Sequence, residues 1–116
     1  MTITSAQDLA KAAAKAALEK KANDVQILNM VSLTAEADFF VICSAETQVQ
    51  IRTIVSEIID ELEKAGVKPL RHEGRSNNNW ILLDYGSVVV HVFQEDDRAY
   101  YNLEKLWADA ERVPLP

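Results

Sequence analysis

The 116-residue sequence is poor in cysteine, glycine and long apolar runs, and each shortage excludes a class of protein or site. Its one cysteine, Cys43, allows no intramolecular disulfide and no zinc site built from several cysteines. The residue stands in the apolar run FFVICS, which favours a buried small hydrophobe over a reactive thiol. A single unpaired cysteine is typical of a reducing compartment.

The three glycines, Gly66, Gly74 and Gly86, are too widely spaced to form a phosphate-binding loop of the GxGxxG or GxxxxGK type. No apolar run approaches the roughly 18 residues that span a bilayer. The first residues also lack the charged start and apolar core of a signal peptide. We therefore expect a cytoplasmic protein with no membrane partner.

Positive charge is also scarce, and this bears on the choice of partner. Lysine and arginine number 12 against 18 aspartates and glutamates, which gives a net charge of −6. Affinity for nucleic acid comes largely from basic side chains that neutralise phosphates, so we expect no direct grip on nucleic acid. An acidic chain is better suited to a basic protein partner, which it attracts at long range.

The length and the hydrophobic pattern predict one domain over 1–116, with a core at about 5–107 and a tail at 108–116. Helices are predicted over 5–21, 47–65 and 95–107, and strands over 25–31, 39–44, 67–70, 79–85 and 87–93. Five strands and three helices in this order indicate an α/β or α+β domain with a mixed sheet flanked by helices. Residues 71–79 are predicted to be a polar loop, and the last five residues a frayed end.

The helix ends carry recognisable signals. Ser5 and Thr47 are predicted N-caps, each followed three residues later by a partner for a capping box, Asp8 and Gln50. Gly66 stands where a left-handed C-terminal cap is expected.

Candidate chemical groups gather in WILLDYGSVVVHVFQEDDR, residues 80–98. His91 shares a strand face with Val89 and Phe93, and its predicted partner is Asp84 on the adjoining strand. This pair can be a structural polar contact, or a general base in which the carboxylate orients the imidazole. A metal site would need a further ligand beside His72 and His91; Asp84 or Glu73 could serve, but nothing in the spacing demands it. Asp96 and Asp97 are interpreted as helix caps.

Catalytic motifs are otherwise missing. No serine stands in a GxSxG elbow, and no DxD pair is present to hold the two metal ions of nucleotidyl transfer. We assign no catalytic residue, metal or cofactor. What remains is a group of aromatic side chains near a polar rim, which are either core residues or contacts for a partner: Trp80, Tyr85, Tyr100, Tyr101 and Trp107.

Four segments resemble the ribosomal silencing factor RsfS family, also called Iojap-like: DFFVICSAET, GVKPLRHEG, WILLDYGSVVVHVF and RAYYNLEKLW. The resemblance implies a factor, not an enzyme, that binds a protein of the large ribosomal subunit on the face that meets the small subunit. Docking there would block subunit joining and lower translation when nutrients are scarce. The resemblance also implies a homodimer and a nucleotidyltransferase-like fold without the catalytic carboxylates.

Several positions carry residues that are typical of the family: Asp38, Phe40, Pro69, Glu73, Gly74, Trp80, Asp84, Gly86, His91, Arg98, Tyr101, Leu103, Glu104, Leu106 and Trp107. The sequence departs from the family pattern at Asn29, Ala45, Val49 and Ser87, where the family usually or often has Asp, Gly, Arg and Asp. We expect the turn near Ala45 and any contact made from the turn at Ser87 to differ from those of relatives.

We expect docking through the Trp80–Tyr85 strand and the segment from Glu95 to Glu111. This segment contains six acidic residues and only two basic ones. The predicted partner-binding residues are Glu73, Trp80, Asp84, Tyr85, His91, Asp96, Asp97, Arg98 and Tyr101. Two other functions stay open at this point. One is a nucleotidyltransferase-like enzyme that uses Asp38, Asp84 and His91, and the other is a dimeric scaffold.

Overall fold

In the described part of the chain, six strands form one mixed sheet, and two helices pack against one of its faces. The structure, a computed structural model, describes residues 3–75, 77–96, 105 and 108–116. Along the chain the elements are α1 (Ala6–Glu19), β1 (Asn23–Asn29), β2 (Phe39–Ala45), α2 (Gln48–Lys64), β3 (Arg71–Arg75), β4 (Trp80–Asp84), β5 (Val88–Gln94) and β6 (Glu111–Val113). The predicted α+β domain with a mixed sheet flanked by helices is confirmed.

The strand order across the sheet is β3-β4-β5-β2-β1-β6. Neighbouring strands are antiparallel except β2 and β5, which run parallel in the middle of the sheet. The central position explains the sequence of β2, which is apolar on both faces because both faces are covered. The predicted interior position of this strand is therefore confirmed.

Both helices begin where their capping residues predict, and α2 also ends where Gly66 predicts. Ser5 Oγ accepts a hydrogen bond from the Asp8 N–H at 3.1 Å, and Thr47 Oγ1 accepts one from the Gln50 N–H at 3.1 Å. Gly66 follows α2 with a φ of 82°, the left-handed conformation that a side chain disfavours. These local signals are readable because each involves neighbours in sequence.

The differences from prediction lie at the two edges of the sheet, which has six strands and not five. β3 occupies residues 71–75, which were predicted to be a polar loop, whereas the predicted strand at 67–70 does not form. β6 lies in the predicted frayed tail and pairs with β1. Both are short edge strands joined to the sheet along one side only, so an apolar alternation is not needed to hold them.

The third predicted helix, over 95–107, falls largely outside the described residues. Lys105, Ala108 and Asp109, which are described, are helical. The predicted helix residues Tyr100 and Trp107 are outside the described part of the chain.

Side chains pack on both faces of the sheet. The larger cluster lies between the sheet and the two helices, and it includes the fully buried Cys43, as predicted. On the opposite face, called the second face below, a smaller cluster contains Leu28, Met30, Ile42 and Phe93, with Phe40, Trp80 and Ala110 packed against it. In the part of the chain that the structure describes, no helix is long and apolar enough to cross a membrane.

Candidate docking face

Three antiparallel strands bring four of the nine predicted site residues to the second face: Glu73, Trp80, Asp84 and His91. In the β4–β5 register, Trp80 lies opposite Phe93, Leu82 opposite His91, and Asp84 opposite Val89. Successive side chains of a strand point to opposite faces, so Trp80 and Asp84 share one face of β4. Asp84 therefore lies diagonal to His91 and not beside it.

Trp80 is held on both sides of its ring and at its N–H. The Phe93 ring stacks against the indole at 5.1 Å between centroids, and the Arg75 guanidinium carbon lies 4.9 Å from the indole centroid. Trp80 Nε1–H donates a hydrogen bond to His91 Nδ1 at 3.1 Å. The indole is partly buried, so part of its surface remains for a partner.

His91 is only 4% exposed and is neutral. Burial, and secondly the positive charge of Arg75, lower the pKa of its imidazole to about 3. Because Nδ1 accepts the indole hydrogen, the single proton of the neutral ring is on Nε2. Nε2 finds no hydrogen-bond partner among the described residues, and the Phe40 ring lies against the imidazole at 4.7 Å and 62°.

The predicted pair between Asp84 and His91 is wrong. Asp84 Oδ2 accepts hydrogen bonds from Arg71 Nε at 3.2 Å and Nη2 at 3.0 Å. Its Oδ1 accepts one from the Gly86 N–H at 2.8 Å, which fixes the turn after β4. The carboxylate thus belongs to the edge strand and the turn, and it leaves the imidazole to Trp80.

Glu73 continues a line of alternating charges along the edge of the sheet. Its Oε1 lies 3.3 Å from Arg71 Nη1, and its Oε2 accepts a hydrogen bond from Arg75 Nη2 at 3.0 Å. With Asp84, these residues form a charged strip of two carboxylates and two guanidiniums that ends at Trp80. The acidic groups predicted to meet a basic partner here are already paired within the chain.

Tyr85 does not join this face. It packs in the cluster beneath the helices and is 8% exposed, and burial raises the pKa of its hydroxyl to about 12. Asp96 is exposed in a turn after β5, where it can meet a partner. The remaining predicted site residues, Asp97, Arg98 and Tyr101, lie outside the described residues.

Sequence reasoning missed Arg71, Arg75 and Phe40 as parts of this arrangement. The signal was present in RHEGR, where charged residues alternate with period two as they would on one face of a strand. Interpreting that segment as a loop concealed the alternation. Among the described residues, no three His, Cys, Asp or Glu side chains lie close enough together to hold a metal ion.

Comparison with known proteins identifies the family. A family model described as "Ribosomal silencing factor during starvation" matches residues 3–116. The chain belongs to this ribosomal silencing factor family. The resemblance seen in the four sequence segments is therefore confirmed over nearly the full length.

Individual ribosomal silencing factors are similar at high coverage. The chain is 45% identical to ribosomal silencing factor RsfS of Halalkalibacterium halodurans over 94% of this chain and 93% of that protein. It is 42% identical to ribosomal silencing factor RsfS of Bacillus subtilis, over 94% of this chain and 92% of that protein. A crystal structure of a Bacillus halodurans protein superposes with a TM-score of 0.82 at 42% identity, covering 94% of this chain and 99% of the other.

Three of the positions that were expected to depart from the family pattern can be placed in the fold. Ser87 lies in the turn before β5, where its carbonyl accepts hydrogen bonds from the Asp38 and Phe39 N–H groups at 2.8 and 3.1 Å. Ala45 is fully buried at the end of β2, whereas Val49 on α2 is 64% exposed. The role of Ser87 in the fold is carried by its backbone, which leaves its side chain free to vary.

Proposed function

We propose that this protein docks on the large ribosomal subunit through a basic ribosomal protein of the intersubunit face and blocks joining of the small subunit. The observation that carries the proposal is membership of the ribosomal silencing factor family over residues 3–116. The role is regulatory and not enzymatic, and the mechanism is steric: the bound protein occupies space that the small subunit needs.

The chemistry of the second face supports this proposal. Interfaces are rich in Trp, Tyr and Arg, and Trp80 and Arg75 lie together there, with the ring rigidly held. The net charge of −6 favours encounter with a basic protein over a direct grip on ribosomal RNA. Exposed acidic residues at Asp96, Asp109 and Glu111 add to the attraction.

Subunit joining tests the proposal directly. Purified large subunits are incubated with saturating protein, small subunits are added, and joined ribosomes are measured by sedimentation. We expect the protein to lower the joined fraction and to sediment with the large subunit. Unimpaired joining at saturating protein would contradict the proposal.

A matched pair of variants locates the contact. Trp80→Ala removes the indole from the second face. We expect it to weaken binding to the large subunit about tenfold or more, as is common for a central aromatic contact. Val49→Ala removes a 64% exposed side chain from α2, on the other face of the sheet, and should bind normally. Equal binding by both variants would remove the second face from the proposed docking surface.

The homodimer implied by the family resemblance stays a prediction. Light scattering on the purified protein checks it, because a monomer has a mass of 13.0 kDa and a dimer twice that.

A further inference from the structure

The residue at position 91 is chemically unusual for its place. It lies on β5 between β4 and β2, in the interior of the sheet, and only 4% of its surface is exposed. Its neighbours on the second face are mostly apolar or aromatic, with Leu82 and Ile42 directly opposite on the two adjoining strands and Phe40 against the ring. An aliphatic side chain would fill such a site without burying a polar group.

A histidine here leaves its Nε2–H without a hydrogen-bond partner among the described residues. A buried donor left unpaired is costly, so packing alone does not account for the imidazole. Its Nδ1, in contrast, has one partner of good geometry, the Trp80 indole N–H at 3.1 Å. The acceptor at Nδ1 is the property of histidine that this site uses.

The carboxylates nearby are committed elsewhere. Asp84 accepts from Arg71 and from the Gly86 N–H, and Glu73 pairs with Arg71 and Arg75. The positive charge of Arg75 also disfavours a second proton on the imidazole. The ring therefore stays neutral, and the Nδ1 lone pair stays available to the indole.

Three contacts together fix the orientation of the indole. Phe93 on one side and Arg75 on the other confine the ring plane, but two flat contacts still allow the ring to slide or flip within the slot. The hydrogen bond to His91 selects one of those positions, since the N–H marks a single edge of the ring. The indole is then held in one orientation, with the Arg75 guanidinium over its ring.

We propose that His91 is a positioning residue for docking, which holds the Trp80 indole in the one orientation that the ribosomal partner recognises. This inference rests on the proposed function. It assigns to His91 a role through Trp80 and no contact of its own with the partner. Pre-ordering the ring removes an entropic cost from the binding step, and this is how such a residue strengthens binding.

Two substitutions separate positioning from packing. His91→Leu fills the space but has no acceptor, whereas His91→Asn places its Oδ1 near the position of Nδ1 and retains one. We expect His91→Leu to weaken binding to the large subunit about tenfold and His91→Asn to restore much of it. A purely structural role would predict the reverse, because leucine suits an apolar site better than asparagine.

The indole N–H supplies a second readout that requires no partner. The chain has two tryptophans, and Trp107→Phe assigns the remaining indole signal in a ¹H–¹⁵N spectrum to Trp80. We expect exchange of the Trp80 indole hydrogen with solvent to accelerate in His91→Leu and to remain slow in His91→Asn. If a variant at position 91 fails to fold, Trp80→Phe removes the same hydrogen bond from the other side, because phenylalanine has no N–H. We expect Trp80→Phe to bind the large subunit as weakly as His91→Leu.

The outcomes are distinguishable. If the unmodified protein binds but His91→Leu and Trp80→Phe bind equally well, the positioning role is overturned and the proposed function stands. If the unmodified protein does not bind large subunits, the proposed function falls and the docking role of His91 falls with it. Unchanged indole exchange in His91→Leu would show that His91 does not hold the ring.

Discussion

At the scale of single residues, the fold lowers the pKa of His91 in a way that its neighbours in sequence do not predict. An exposed histidine has a pKa of 6.5, whereas burial and the Arg75 charge lower that of His91 to about 3. Among the described residues no carboxylate offsets this effect, because Glu73 and Asp84 are held by arginines of the edge strand. The group is a fixed acceptor at neutral pH and not a base ready to take a proton.

This depressed pKa predicts a loss of stability in acid. Above pH 6.5 the imidazole is neutral in both the folded and the unfolded chain, so it adds no pH dependence. Between about pH 6.5 and 3 only the unfolded chain binds the proton, and the free energy of unfolding falls as pH falls. At about pH 5 the loss is about 2 kcal/mol, at about 1.4 kcal/mol for each pH unit.

The measurement compares urea unfolding of the unmodified protein and His91→Asn at several pH values. Carboxylates titrate in both proteins, so the difference between the two curves isolates the imidazole. We expect that difference to be constant above pH 6.5 and to shift in favour of His91→Asn below it. A difference that stays constant down to pH 4 would mean that His91 accepts a proton in the folded protein.

The sequence correctly predicts that Asp84 and His91 lie on adjoining strands, but the predicted contact between them does not form. Their pairing depends on register, which puts Val89 opposite Asp84, and on a competitor, Arg71, in an edge strand that looked like a loop. The hydrogen bond from Trp80 to His91 joins side chains 11 residues apart, and no local pattern marks it. Cap residues, in contrast, were predictable because donor and acceptor are three residues apart.

At the scale of elements, the predictable parts are those with an apolar stripe. β2 and α2 each bury a continuous set of aliphatic side chains, and their bounds were predicted to within a residue or two. β3 and β6 lie at opposite edges of the sheet and are held by backbone pairing to one neighbour. Their polar side chains suit an edge, where charge discourages further strand pairing, and this same feature hides them from a hydrophobic pattern.

β6 provides a test of how much an edge strand contributes. Removing Glu111–Pro116 deletes the strand and unpairs the outer side of β1, where Ile27 is 1% exposed and pairs with Val113. We expect this truncation to lower the free energy of unfolding by about 1–3 kcal/mol, from lost hydrogen bonds and from apolar surface that becomes exposed.

A shorter truncation is the control for this prediction. Removing only 114–116 deletes residues beyond the strand and leaves all three register pairs in place. We expect its urea midpoint to equal that of the full chain. Equal midpoints for both truncations would mean that β6 adds nothing to stability and that β1 is stable as an edge.

At the scale of the whole molecule, the sheet separates two packed clusters, and the proposed docking face lies on the side away from α1 and α2. The aliphatic cluster beneath the helices contains the parallel centre of the sheet, β2 and β5. The second face carries Trp80 and the charged strip, and Trp80 packs against His91 and Phe93 of the central strand β5. Orientation at the docking face therefore depends on the intact sheet and not on a loop.

Cys43 makes the integrity of that sheet measurable, because it is the only cysteine and lies in β2 with no exposed surface. Burial raises the pKa of its thiol to about 12, so the reactive thiolate is absent from the folded state as well as inaccessible. Its sulfur lies in the cluster between the sheet and the two helices, so it becomes exposed only if the helices separate from the sheet or β2 separates from β1 and β5. We expect labelling by a thiol reagent to require global unfolding.

The rate of Cys43 labelling, measured in increasing urea, tests whether labelling requires global unfolding. If global unfolding is required, the logarithm of the rate rises linearly with urea, with the slope of the equilibrium unfolding curve. Val49→Cys in a Cys43→Ala background, whose thiol replaces a 64% exposed side chain, should react at once without urea and calibrates the reagent. A rate for Cys43 that does not change at low urea would reveal a local opening of the cluster between the helices and the central strands. In that case the support beneath Trp80 and His91 would be less rigid than their docking role requires.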